Sequence, residues 1–156
     1  AHSVDNQGVA TVAAAAKAAG VSRVVLVSSM MVTPKNRWQP IRILLNNIRW
    51  GLMDAKLAGE NALRASGVPY TVVRPGGLGK EAGGKAEVLP RQGDTPGAGP
   101  RSISRADVAA VCVEALNNPA AAGVTLEIVA QPKADQGWDY EGHLKKLFTG
   151  LTKDSA

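Results

Sequence analysis

Two short segments place ligand-binding residue types at the point where an apolar run stops. Arg23-Val24-Val25-Leu26-Val27 ends in Ser28-Ser29, and Tyr70-Thr71-Val72-Val73 ends in Arg74-Pro75-Gly76-Gly77. Each run is β-branched and apolar on both faces, as a buried parallel strand is. Each follows a helical pattern closed by a glycine, Gly20 or Gly67. Parallel strands so read set their C-terminal ends side by side, where open α/β sheets bind ligands. The hydroxyls of Ser28 and Ser29 then either line that crevice or bond the local backbone as a polar strand end does. Arg74 is a candidate ligand contact or, more ordinarily, half of a structural ion pair. Pro75 has no N–H to give a ladder, and Gly76 and Gly77 allow the backbone to approach a ligand closely.

Other chemistries fit poorly. Gly79-Lys80-Glu81-Ala82-Gly83-Gly84-Lys85-Ala86 almost spells a phosphate-binding P-loop. Ala86, however, stands where a magnesium-binding hydroxyl is needed, and Pro90 cuts short any following helix. His2 and His143 are isolated, so neither a metal site nor a triad is expected. The lone Cys112 rules out an internal disulfide and lies on an apolar stripe, as an inert thiol does. The net charge of +5 comes from 18 basic residues scattered without a run, and no aromatics interleave them for base stacking, so nucleic acid is not an expected partner. No apolar stretch approaches a membrane span. The composition is that of a soluble intracellular globular domain, and no targeting peptide is visible.

The elements that must position these residues alternate. A first helix capped by Asp5 or Asn6 carries Val9, Val12, Ala13 and Ala16 on one face. After the strand at 23–28 comes a loop broken by Pro34 and Pro40. A long helix follows over 41–65 with the stripe Ile41, Leu45, Ile48, Leu52. The strand at 70–74 leads into a Gly/Pro-rich loop at 76–101, with room for a short strand at 86–89. Ser104-Arg105-Ala106-Asp107 is a capping-box variant opening a helix, which Pro119 ends. A third strand is expected at 124–129 and a last helix at 140–149. This is α/β, a partial Rossmann-like parallel sheet with flanking helices, spread over one partial domain of residues 1–156.

In this order the motifs resemble the C-terminal half of an atypical short-chain dehydrogenase/reductase. The likeness rests on Val4-Asp5-Asn6-Gln7-Gly8-Val9, Leu26-Val27-Ser28-Ser29, a helix with Lys56 and Glu60 before Val72-Val73-Arg74-Pro75-Gly76-Gly77, and Ile103-Ser104-Arg105-Ala106-Asp107-Val108-Ala109. It is strongest to the plant and algal NAD(P)H-binding, chloroplast-type branch. The resemblance implies a nicotinamide site formed by Ser28, Ser29, Lys56, Arg74, Pro75, Gly76 and Gly77. It also implies a tyrosine four residues before Lys56, on the same helix face. That position is Leu52, which has no proton to give, and Met30 stands where a further hydroxyl is implied. Lys56 is therefore either a ribose contact or a lysine snorkelling from the end of an apolar stripe.

No Gly-x-Gly-x-x-Gly occurs, so the N-terminal phosphate-binding half is absent from this sequence. Two functions follow as expectations. One is an NAD(P)H-binding protein with weak or no dehydrogenase activity, the cofactor requiring the full-length fold and not binding the 156-residue piece alone. The other is a non-catalytic assembly subunit of a larger, chloroplast complex. A protein partner or the missing half is expected to cover the strand at 23–28. The segment Lys35 to Trp50 is the candidate contact, with the alternative that Trp38 and Trp50 cover the sheet.

Overall fold

The computed structural model describes residues 1–95, 97, 99–133 and 137–155. A π-helical stretch, His2–Gly8, runs directly into α1, Val9–Ala18. Then come β1 (Val24–Val27), α2 (Pro40–Ile48), α3 (Leu52–Ser66), β2 (Tyr70–Pro75), β3 (Gly77–Gly79), β4 (Ala86–Arg91), β5 (Ser102–Ser104), α4 (Arg105–Asn117), β6 (Val124–Pro132) and α5 (Tyr140–Lys146).

The main sheet has the order β1-β2-β6-β4. β1, β2 and β6 are parallel, as the apolar runs imply, and β4 is antiparallel to β6. β3 and β5 pair in parallel as a small second sheet. The region 76–101 is thus less of a loop than its glycines and prolines suggest. Pro90 sits inside β4 because among the described residues that strand has a neighbour on one side only, so its missing N–H is not needed. One core cluster packs α4, α5 and the C-terminal Phe148 against Val73, Leu126 and Ile128. A second packs α1 and α3 against Val72.

Three sequence expectations need correction. The first helix is not capped by Asp5, whose carboxylate accepts a hydrogen bond from Lys56 instead, and Val12 on its expected inner face is exposed. The helix expected over 41–65 is two helices, broken where Trp50 and Gly51 both take positive φ, 45° and 76°. A left-handed pair stops a helix, and only the glycine does so without steric cost. The expected stripe on α2 is also inverted. Ile41 and Ile48 face outward at 44% and 63% exposure, while Arg42 is buried at 5%.

Candidate functional site

Lys56 and Ser28 meet at the C-terminal end of β1. Asp5, Val9, Leu26, Val27, Ser28 and Lys56 line one small cleft there. Lys56 Nζ donates to Asp5 Oδ1 at 3.0 Å, and both side chains are about a fifth exposed, 22% and 23%. Gly59 makes the pair geometrically possible. A Cβ at that position would lie 2.1 Å from the Asp5 carbonyl oxygen and 3.2 Å from Val9 Cγ2, so any larger residue would push α3 away from the N-terminal helix. Ser28 N donates to Val73 O at 2.7 Å and Met30 N to Pro75 O at 3.2 Å, which sets the ends of β1 and β2 side by side. Ser28 is 6% exposed, and its Oγ has no partner among the described residues. An unpartnered buried hydroxyl costs ~1–3 kcal/mol. It is the kind of atom that a bound polar ligand would satisfy. Ser29 Oγ instead donates to the neighbouring Met30 O at 3.1 Å, the local bond expected of a polar strand end.

Arg74 is occupied elsewhere. Its Nε and Nη2 donate to the two oxygens of Glu60 at 3.0 and 2.7 Å, and Nη1 donates to Glu127 Oε1 at 3.1 Å. Arg74, Glu60 and Glu127 are 5%, 0% and 1% exposed. Burial alone would lower the arginine pKa, but the paired carboxylates outweigh it and raise it. Glu127 Oε2 accepts from Asp94 N at 3.0 Å. The Asp94 carboxylate in turn accepts from Met31 N, Thr33 N, Thr33 Oγ1 and Asn36 Nδ2 at 2.5–3.0 Å. The side chain of Arg74 is therefore the centre of a knot that ties the loop after β1 to the sheet.

The glycines after β2 also serve the fold. A Cβ on Gly76 would come within 2.4 Å of Arg101 O, and Gly77 N donates to the same oxygen at 2.8 Å. Their close backbone approach is to their own chain. The near P-loop is not one, because Ala86 opens the strand β4 where a P-loop requires a helix. Neither tyrosine reaches the cleft. Tyr70 Oη donates to Asp154 Oδ2 at 2.9 Å and Tyr140 Oη to Asp107 Oδ1 at 2.6 Å. Leu52, one turn before Lys56, is half-buried and aprotic. Asp5, Gly59, Glu60, Asp94 and Glu127 went unassigned to these roles in the sequence. Of them only Glu60, four residues after Lys56, carried a local signal, since their partners lie far away along the chain.

The NAD(P)H-binding family matches residues 1–119. This chain belongs to that family. It is 39% identical over 139 residues to an uncharacterized chloroplastic protein of Arabidopsis thaliana, covering 88% of this chain and 41% of that protein. It is 35% identical over 144 residues to sanguinarine reductase of Eschscholzia californica, covering 88% of this chain and 48% of the reductase. Among solved structures, a putative NAD-dependent epimerase/dehydratase from Bacillus halodurans superposes with a TM-score of 0.66 at 29% identity, over 83% of this chain and 56% of the other. The chain thus spans about half the length of the curated relatives it matches. These relationships support an atypical short-chain dehydrogenase/reductase-like protein of chloroplast type with a Rossmann-like fold, as the sequence motifs implied. Among the described residues no helix is long and apolar enough to cross a membrane.

Proposed function

We propose that this NAD(P)H-binding chain supplies the nicotinamide side of a chloroplast reductase-like protein whose hydride transfer to ordinary carbonyls is weak or lacking. Residues 1–156 are read as one part of a single cofactor-binding domain. One observation carries the proposal: Ser28 Oγ is buried without a partner among the described residues beside the Lys56–Asp5 pair, while Leu52 is aprotic where the resemblance implies a proton donor. In this reading Lys56 and Ser28 contact a nicotinamide ribose, the cofactor supplies the hydride, and no side chain beside them supplies the proton. Arg74 and Gly76 shape the cleft from behind without touching the ligand. The chain has no glycine-rich phosphate turn, so the 156 residues alone are expected to hold NADPH too weakly to measure, whereas a full-length protein holds it. Leu52→Tyr tests the catalytic half. A working acid typically contributes ~10²–10⁴ in rate, so the variant of the full-length protein should gain carbonyl reduction that the parent lacks. Robust turnover by the parent would overturn the reading.

A second reading, a non-catalytic assembly subunit, draws on β1. Among the described residues that strand pairs with β2 alone, and Val27 is 44% exposed, so its outer edge is available to a strand of this or another chain. Sedimentation of the 156-residue piece tests it. A cooperatively melting monomer would remove its main support.

A further inference from the structure

α2 is built inside out. Its polar residues face the protein: Arg42 donates to Val32 O at 3.2 Å and to Asp54 Oδ1 at 2.6 Å. One turn on, Asn46 Nδ2 donates to Asp54 Oδ2 at 3.1 Å, and Asn46 Oδ1 accepts from Met53 N at 2.7 Å. Most of its apolar residues face outward, with Leu45 half-buried. Ile41, Leu44 and Ile48, spaced i, i+3, i+7, are 44%, 51% and 63% exposed, and the tryptophans that bracket the helix, Trp38 and Trp50, are 76% and 88% exposed. Trp38 and Trp50 therefore do not cover the sheet. An apolar row of this kind in water calls for a cover.

The charges around the row indicate which cover. Between residues 30 and 53 stand Lys35, Arg37, Arg42 and Arg49 and no aspartate or glutamate. Arg42 is bound inward, which leaves Lys35, Arg37 and Arg49 exposed along the same segment. Arg37 lies over the Trp38 ring at 5.3 Å. We propose that α2 and its flanking tryptophans lie in the surface of an anionic lipid bilayer, apolar row down, with the arginines at headgroup level. A helix with an apolar face, basic flanks and indoles at its ends has the composition of an interfacial helix. Lys35, Arg37 and Arg49 make no ion pair among the described residues, and three such exposed cations around an apolar row suit a diffuse anionic surface. The inference is independent of whether the Ser28–Lys56 cleft holds a cofactor.

The test is co-sedimentation of the full chain with phosphatidylcholine vesicles, with and without phosphatidylglycerol. Binding to the anionic vesicles alone is expected, weakened by salt. Arg37→Gln with Arg49→Gln should reduce partitioning by roughly fivefold per charge. Trp38→Ser with Trp50→Ser should reduce it by at least about tenfold. These side chains are exposed, so the variants should keep the parent's melting temperature. Lys145→Gln with Lys146→Gln removes the same charge from the exposed side of α5 and should change partitioning much less. Three results would overturn the proposal: no vesicle binding, equal loss in the α5 variant, or capture of an acidic protein through α2 without vesicle binding.

Discussion

Lys56 and Glu60 are one turn apart on α3 and have opposite fates. Glu60 is wholly buried, and both its oxygens are taken by Arg74, with Arg64 adding a bond at 3.0 Å. Lys56 keeps a fifth of its surface, makes one bond to Asp5 and faces a serine with nothing to bond. Charge that is completely satisfied holds a fold and is closed to ligands. Charge that is incompletely satisfied, at the mouth of a crevice, is what a ligand can use. The sequence motif presents Lys56 and Arg74 alike as site residues, and burial separates them.

The largest effect expected from this contrast comes from the knot. Arg74→Ala removes the main partner of two buried carboxylates, leaving Glu60 with Arg64 and Glu127 with the Asp94 N–H, and should destabilise the chain by ~3–5 kcal/mol in chemical denaturation. A milder loss would mean the carboxylates reach water. Gly59→Ala comes next. Its Cβ would collide with the Asp5 backbone, an overpacking worth ~1–3 kcal/mol, and it should weaken cofactor binding by parting Asp5 from Lys56. Stability lost with affinity intact would separate the cleft from that helix contact.

A third prediction uses Tyr70, whose pKa is pushed up to about 12 by burial and by its hydrogen bond to Asp154. Burial would raise Asp154 as well, but the bonds from Thr125, Arg64 and Tyr70 outweigh it and lower it. The folded state therefore holds the tyrosine proton more tightly than the unfolded state does. This contribution is complete below pH 10 and is lost as pH rises through 10 toward about 12. Tyr70→Phe should flatten that alkaline decline in a thermal melt series, and an unchanged slope would count against the cluster. The smallest effect on stability belongs to Lys56→Ala. A part-exposed pair of this kind contributes ~0.2–1 kcal/mol, so its melting temperature should hardly move.

The sequence showed much of the scaffold. Strands with branched residues on both faces, the Ser104–Asp107 cap and the stop at Gly67 are local signals, and each stands as read. The break at Trp50-Gly51 was hidden because an apolar periodicity continues across it. The direction of α2 was hidden because periodicity says which residues share a face and not which way that face points. Glu127, Asp94 and Asp5 could not be placed, since each binds a partner tens of residues away. Arg74 was legible as an ion pair or a ligand contact, and the structure shows the ion pairs, with Glu60 and Glu127.

The most direct test of the central claim is calorimetric titration of NADPH into the full-length protein, its Lys56→Ala variant and its Ser28→Ala variant. Each loss of a polar contact should lower affinity by roughly tenfold, in line with ~1.5 kcal/mol for one such bond, while the melting temperature stays near the parent's. Unchanged affinity beside a large fall in melting temperature would show that Lys56 and Ser28 hold the fold and not a cofactor.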